Sequence, residues 1–179
     1  MKPEKDLLEL SRKVIQCYFK NKEVEVSDKI KNKYSEKQAC FVTLTKNGIL
    51  RGCVGSLYAH QPLYKDVIDN SINAAFRDYR FTPLNESELS SIKIEISVLS
   101  VAKKLSFSSS NELLKKLNYS MGVILKKDSR QATYLPQVWE QLPDKIEFLS
   151  SLCLKAGLAP DSWKNEIEVY TYSVEKVKE

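Results

Sequence analysis

The hexapeptide LRGCVG, residues 50–55, places one cysteine between two glycines in a chain that has only five glycines. Arg51 is a permanent cation two residues before Cys53, and a nearby cation lowers the pKa of a thiol and raises its thiolate fraction. Gly52 and Gly55 could leave backbone N–H groups free to hold an anion. These residue types suit a nucleophilic thiol next to an oxyanion or an anionic ligand.

The same hexapeptide also fits a purely structural interpretation. Glycine inside a strand often marks a bulge or the close approach of another segment, and buried cysteines are usually inert. Residues two apart in a strand point to the same side, so Arg51 can act on the thiol of Cys53 only if that side is concave. From the local sequence alone, the structural interpretation is favoured.

A second charged cluster, RDYRF at residues 77–81, lies at the end of a predicted helix. Arg77 and Arg80 suit the negative end of the helix dipole, and Asp78 could hold an arginine side chain in place. Glu95 lies on the polar side of a predicted strand and becomes a candidate for general acid–base chemistry if that side lines a cleft. The structural alternatives are a helix end and a solvated strand glutamate.

Hydrophobic periodicity predicts the elements that position these residues. The predicted helices cover residues 3–20, 62–78, 110–117 with Ser110 as the cap, and a last helix between an Asp144 cap and Gly157. The predicted strands cover residues 38–45, 49–57, 92–98, 121–126, 131–135 and 167–174, with turns at Asn47-Gly48 and Asp128. Because helices and antiparallel hairpins are intermixed without regular βαβ alternation, we predict a single α+β domain with a mostly antiparallel sheet flanked by helices.

Composition argues against several classes of function. The net charge of +5 comes mostly from dispersed lysines, and five arginines do not form the basic face of a nucleic-acid groove. One histidine and four cysteines do not have the paired spacing typical of a metal site, and no cofactor fingerprint is present. No apolar run approaches the roughly 20 residues of a membrane helix, so we expect a cytoplasmic protein with reduced thiols.

Five motifs occur in a characteristic order along the chain: LRGCVG, DYRF, IEISVLS, ATYLPQVWEQLP and KAGL. From about residue 41 to the C-terminus, this order resembles the AMMECR-domain family, whose bacterial and archaeal members are called AmmeMemoRadiSam system protein A. The resemblance implies an α+β fold in which a larger subdomain contains both termini and a smaller one lies between. It also implies an intracellular protein, often encoded near a Memo-like protein and a radical S-adenosylmethionine protein, which are therefore possible partners.

The resemblance carries site residues over by position. The matching residues are Arg51, Gly52, Cys53, Gly55, Asp78, Arg80, Phe81, Glu95, Leu135, Pro136 and Gln137. Those expected to bind a ligand are Arg51, Gly52, Gly55, Arg80 and Gln137. Some family members have a histidine just before the glycine of the later hairpin, where this chain has Met121-Gly122, so no mechanism that needs that histidine is expected here.

Two hypotheses of different classes follow. In the first, the protein is an enzyme acting on a small molecule: Cys53 is a thiolate activated by Arg51 or Arg80, and Glu95 or Asp78 moves protons. In the second, the protein is a non-catalytic module that binds a ligand or a partner. Cys53 is then a small filler, and the charged residues form a structural network.

Overall fold

The computed structural model describes residues 3–179 of the chain. The α-helices are α1 (Lys5–Phe19), α2 (Asp28–Lys33), α3 (Leu63–Ile72), α4 (Ser110–Lys116) and α5 (Lys145–Lys155). The strands are β1 (Ala39–Lys46), β2 (Ile49–Gly55), β3 (Ile92–Leu99), β4 (Lys103–Lys104), β5 (Gly122–Lys127), β6 (Arg130–Tyr134), β7 (Glu168–Tyr172) and β8 (Val174–Lys178). Within residues 3–179, none of the helices combines the length and the apolar character that crossing a membrane requires.

The strands form two antiparallel four-stranded sheets, which confirms the predicted α+β class. One compact unit runs up to Val101 and adds Glu175–Glu179, and it contains the sheet β2-β1-β3-β8. The other unit, Ala102–Val174, contains the sheet β4-β7-β5-β6. A larger subdomain with both chain ends and a smaller one between them is therefore confirmed, while the assignment of the whole chain to a single domain stays a prediction.

The core of the larger unit is built on strand β3, where the sequence alternates between apolar and polar residues. Ile92, Ile94 and Ile96 are buried, whereas Lys93 is exposed and Glu95 is half-buried. Helices α1 and α3 cover the apolar side of the sheet with their own apolar faces. Because each buried aliphatic side chain contributes about 1.5–3 kcal/mol, this alternation fixes which side of the sheet faces water.

Helix α5 packs on the sheet of the smaller unit and has the predicted ends. The Asp144 side chain accepts hydrogen bonds from the first turn, and Gly157, with a φ of 73°, follows its last turn. The prediction that Ser110 caps helix α4 is wrong by one residue. Ser109 is the cap, and its hydroxyl accepts a hydrogen bond from the Glu112 N–H at 3.2 Å.

The C-terminal strand β8 was not predicted from the sequence. The predicted strand at residues 167–174 ends at Tyr172 as β7, and the chain then crosses to the other sheet. There the Glu179 carboxylate accepts hydrogen bonds from Arg12 Nε at 2.8 Å and from the Ile94 N–H at 3.1 Å. The sequence VEKVK has few apolar residues because β8 is an edge strand, and its partners are distant in sequence.

Helix α2 was also missed, because its sequence DKIKNK has no apolar periodicity. Contacts with Asp6 of α1 fix its C-terminal end. Tyr34, directly after α2, is fully buried and donates a hydrogen bond to Asp6 at 2.6 Å, while Lys33 Nζ lies 2.8 Å from the same carboxylate. Tertiary contacts with α1, rather than helix propensity, stabilise this segment.

Helix α3 continues directly into a π-helix, Asn73–Arg77, so the helix predicted over residues 62–78 is confirmed. The π-helix brings the Ala74 carbonyl against strand β2. A Cβ atom built on Gly52 would lie 2.1 Å from the Ala74 oxygen, far inside van der Waals contact. Gly52 is therefore required by the packing of two backbones, as expected where glycine occurs inside a strand.

Replacing Gly52 with alanine should lower the free energy of unfolding by at least about 2 kcal/mol, because the new methyl group forces the π-helix and strand β2 apart. Urea unfolding followed by circular dichroism measures this change. Gly48→Asn is the control: Gly48 has a φ of 78° and no atom within 4 Å of an added Cβ, and asparagine tolerates that conformation. Equal losses in both variants would contradict the packing argument.

Candidate functional site

Cys53 belongs to a row of polar side chains that crosses the larger sheet. Cys53 in β2 pairs with Thr43 in β1, and Thr43 pairs on its other side with Glu95 in β3. The Thr43 hydroxyl lies 3.2 Å from the Cys53 thiol, and Lys176 of β8 forms an ion pair with Glu95 at 3.3 Å. The neighbours of Thr43 in β1, Val42 among them, are fully buried. The polar row therefore lies on the side of the sheet opposite the apolar core.

The backbone of Cys53 is held by two side chains from the DYRF motif. Its N–H donates a hydrogen bond to Asp78 Oδ2 at 2.8 Å, and its carbonyl accepts one from Arg80 Nη2 at 3.0 Å. The two side chains also bind each other, since Arg80 donates to both carboxylate oxygens at 2.9 and 2.7 Å. We call this pair the Asp78–Arg80 clamp. It occupies the position that a further strand would take along the edge of β2.

The clamp is electrostatically strong because Asp78 is almost inaccessible. Its side chain is 3% exposed, and that of Arg80 is 42% exposed. The hydrogen bonds from Arg80 lower the pKa of Asp78 to about 2, against the effect of burial. The pKa of Arg80 is raised, chiefly by its hydrogen bond to Asp78 and in part by the charge of a Cys53 thiolate. Arg80 therefore stays positively charged at the edge of strand β2.

Arg51 binds the segment before β3 rather than the thiol of Cys53. Its Nε and Nη2 donate to the two carboxylate oxygens of Glu88 at 3.2 and 2.9 Å, and its Nη1 donates to the Thr82 carbonyl at 2.9 Å. The hydrogen bonds from Arg51 lower the pKa of Glu88 to about 2. Arg51 thus fastens the segment before β3 to strand β2, and its role in ligand binding stays a prediction.

Glu88 was missed by the sequence analysis, although a signal for it exists. Asn85 and Glu88 have the Asn-x-x-Glu spacing of a capping box, and both reciprocal hydrogen bonds of that motif are present. Lys46 Nζ lies 2.9 Å from the same carboxylate. Glu88 thus caps its own short helix and also joins the segment before β3 to Lys46 and Arg51.

The two glycines of the hexapeptide are explained by neighbouring segments. Gly52 faces the Ala74 carbonyl, and a Cβ atom on Gly55 would lie 2.3 Å from the Phe41 ring. The glycines predict that another group approaches this strand closely. The structure shows that these groups are the Ala74 backbone and the Phe41 ring of the protein itself. The assignment of the glycine amides to ligand binding stays a prediction.

Gln137 lies in the smaller unit, in a 3₁₀-helix at Pro136–Glu140. Its Oε1 atom is buried and has no hydrogen-bond partner among residues 3–179. A buried acceptor without a donor is uncommon in folded proteins. The role of Gln137 in ligand binding stays a prediction, and the structure does not assign its side chain to the Cys53 row.

Cys53 differs from the buried cysteines of the chain. Cys40 and Cys153 are fully buried, and burial raises the pKa of both thiols, whereas Cys53 is half-buried. All four cysteines are free. In the part of the chain that the structure describes, no group of three His, Cys, Asp or Glu side chains is arranged to hold a metal ion.

A buried carboxylate next to the hexapeptide was also missed by the sequence analysis. Asp66 of α3 accepts hydrogen bonds from the Cys40 N–H at 2.9 Å, from the Ser56 hydroxyl at 2.8 Å and from the Asn70 amide at 3.0 Å. It therefore anchors the residue that follows Gly55 to helix α3. A lone aspartate within an amphipathic helix carries no sequence signal for this role.

With this geometry established, comparison with known proteins identifies the family. The sequence profile described as AMMECR1 matches residues 8–177. The chain belongs to the AMMECR1 family. Protein NEQ441 of Nanoarchaeum equitans is 37% identical over 171 residues, which cover 93% of this chain and 95% of that protein. Protein Mbar_A1807 of Methanosarcina barkeri is 36% identical over 178 residues, which cover 96% and 88%.

A solved structure shares the fold of this AMMECR1-family protein. The crystal structure of an uncharacterized protein, PH0010 from Pyrococcus horikoshii, superimposes with a TM-score of 0.89 at 31% sequence identity. The match covers 98% of this chain and 90% of that chain. The resemblance inferred from the ordered motifs is therefore confirmed at the level of the family, and its members named here carry no stated activity.

In this AMMECR1-family protein, Asp78→Asn should cost about 2 kcal/mol of unfolding free energy near neutral pH. The pKa of Asp78 is about 2 in the folded protein and about 3.9 when unfolded. The charged clamp therefore stabilises the fold above about pH 4, and this contribution disappears as the pH falls towards 2.

Urea unfolding at several pH values measures the difference between the wild type and Asp78→Asn. Asp69→Asn, which removes a more exposed carboxylate from helix α3, is the control. The difference for Asp78→Asn should be largest above pH 4 and close to zero near pH 2. A difference that did not change with pH would show that the charge of Asp78 is not what stabilises the strand.

Proposed function

We propose that this AMMECR1-family protein is a cytoplasmic enzyme that acts on a small electrophilic metabolite through the Cys53 thiolate. The observation that supports this most is the convergence of Asp78, Arg80 and Thr43 on one half-buried cysteine. Arg80 holds the Cys53 carbonyl and carries the charge that favours a thiolate. Three residues from two other parts of the chain thus fix the backbone of Cys53 and contact its thiol.

In the proposed reaction the Cys53 sulfur attacks an electrophilic carbon of the ligand. A carbon–sulfur bond forms, and the displaced electron pair moves to an oxygen of the ligand, close to donors that stabilise negative charge. Arg80 Nη1 has no hydrogen-bond partner among residues 3–179, and we assign it to an anionic group of the ligand. The substrate class is therefore a small anionic electrophile.

Of the two candidate carboxylates, Glu95 is the better proton acceptor. Both oxygens of Asp78 accept hydrogen bonds from the Cys53 backbone or from Arg80, and its pKa of about 2 makes it a weak base. Glu95 lies in the polar row next to Thr43 and is partly exposed. We therefore propose Glu95 for proton transfer and Asp78 for positioning Arg80.

The other predicted ligand contacts remain part of the proposal. Gln137 Oε1, a buried acceptor without a partner among residues 3–179, is proposed to accept a hydrogen bond from a ligand within the smaller unit. The Gly55 amide is the proposed oxyanion donor, Gly52 is proposed to let the π-helix approach the site closely, and Arg51 is proposed to act through the network that it shares with Glu88. A cofactor is not part of this proposal.

Site-resolved alkylation is the experiment that tests the enzyme. The native protein is treated with iodoacetamide over a range of pH, and each cysteine is quantified by mass spectrometry. Cys53 should react at least tenfold faster at pH 7 than Cys40 and Cys153, because these two are buried and have raised pKa values. If Cys53 reacted only after unfolding, covalent catalysis would have no nucleophile.

Arg80→Lys keeps the charge but cannot reproduce the three hydrogen bonds of the guanidinium. Alkylation of Cys53 by iodoacetamide at pH 7 should therefore be slower than in the wild type, because the cation is no longer fixed beside strand β2. Arg77→Lys is the matched control, since Arg77 ends the π-helix and bonds Asn73 rather than the thiol.

A partner-binding module is the second candidate, and one observation favours it. Tyr79, between the two residues of the clamp, is 95% exposed. Tyrosine is enriched among the residues that dominate protein interfaces, and the clamp presents Tyr79 on a rigid base. We propose that the occupant in this case is a Memo-like or radical S-adenosylmethionine protein of the same cell, as expected for an AmmeMemoRadiSam system protein A.

Tyr79→Ser separates the two candidates. If the protein is a partner-binding module, this variant should lose at least tenfold in affinity for the purified Memo-like or radical S-adenosylmethionine protein, measured by calorimetry, while Cys53 alkylation is unchanged. Tyr58→Ser, at a tyrosine that is 52% exposed, is the control. Wild-type protein that bound neither purified partner would remove this candidate.

A further inference from the structure

The hydroxyl of Thr43 lies 3.2 Å from the Cys53 thiol. The register explains this distance. The N–H and C=O groups of Cys53 point away from β1, to Asp78 and Arg80. Cys53 and Thr43 therefore form a non-hydrogen-bonded antiparallel pair, the arrangement in which paired side chains are closest.

The direction of this hydrogen bond depends on the charge of the sulfur. A neutral thiol can donate to Thr43 or accept from it. A thiolate has no proton, so the Thr43 hydroxyl is then the donor, and the bond becomes charge-assisted and stronger. Threonine suits this task because its branched Cβ leaves few rotamers.

The charged groups around the pair act from several elements. Arg80 and Asp78 lie on the open edge of β2, Glu95 lies across Thr43 in β3, and Lys176 of β8 neutralises Glu95. The ion pair with Lys176 limits the repulsion that Glu95 would exert on a thiolate. Thr43 is thus the donor that meets the sulfur from the sheet, while Arg80 acts from the opposite, open edge.

We infer that Thr43 is a positioning residue that orients the Cys53 sulfur and stabilises its thiolate through a hydrogen bond from its hydroxyl. This inference rests on the proposed function of Cys53. No sequence motif indicates Thr43, because the contact arises from the register of two strands. It adds a determinant of reactivity that the LRGCVG motif does not contain.

The test compares Thr43→Val, which removes the hydroxyl and keeps the shape, with Thr43→Ser, which keeps the hydroxyl. At pH 7, alkylation of Cys53 by iodoacetamide should slow about tenfold in Thr43→Val, and its pH profile should move to higher pH. Thr43→Ser should stay within about twofold of the wild type. Thr45→Val, the same change two residues along the same strand, is the control and should have no effect.

The outcomes separate this inference from the proposed function. A reactive Cys53 with the same pH profile in Thr43→Val as in the wild type overturns the inference alone, even if urea unfolding shows that the variant is less stable. An unreactive Cys53 in the wild type overturns the proposed function and the inference together. If Thr43→Val does not fold, Thr43→Ser is compared with Thr43→Ala instead. Serine retains the hydroxyl donor and alanine does not. Equal displacement of the pH profile of Cys53 alkylation in both variants therefore overturns the inference.

Discussion

The Asp78–Arg80 clamp is the interaction on which the Cys53 site depends. An edge strand has backbone N–H and C=O groups without partners, and at Cys53 these groups are bound by a carboxylate and a guanidinium. The clamp fixes the strand laterally, while the Ala74 carbonyl fixes it from the core side at Gly52. Because both constraints come from the same segment, α3 and its π-helical end determine where the thiol lies.

The clamp uses two residues of one short motif to bind both backbone groups of Cys53. Arg80 donates hydrogen bonds to Asp78 and to the Cys53 carbonyl. A π-helix at a functional site is a recurrent arrangement, since the extra residue in the turn redirects the chain. Here the π-helix ends directly before the DYRF segment, whose Asp78 and Arg80 bind the edge of β2.

The sequence was sufficient to predict most elements and the α+β class, because alternation in β3 and the Asn47-Gly48 turn are local signals. It was insufficient for α2 and β8, whose stability comes from distant contacts such as Tyr34 with Asp6 and Glu179 with Arg12. The same limit applies to the site. Residues within LRGCVG and DYRF were predicted from motifs, whereas the contact of Thr43 with Cys53 depends on strand register, which no local pattern encodes.

The crossing from β7 to β8 has a consequence for synthesis of the chain. Because Val174–Lys178 supplies the fourth strand of the larger sheet, that sheet stays one strand short until the ribosome has passed the whole of the smaller unit. The smaller unit, Ala102–Val174, is continuous in sequence and has all its strands earlier. Folding during translation therefore favours completion of the inserted unit before the unit that carries Cys53.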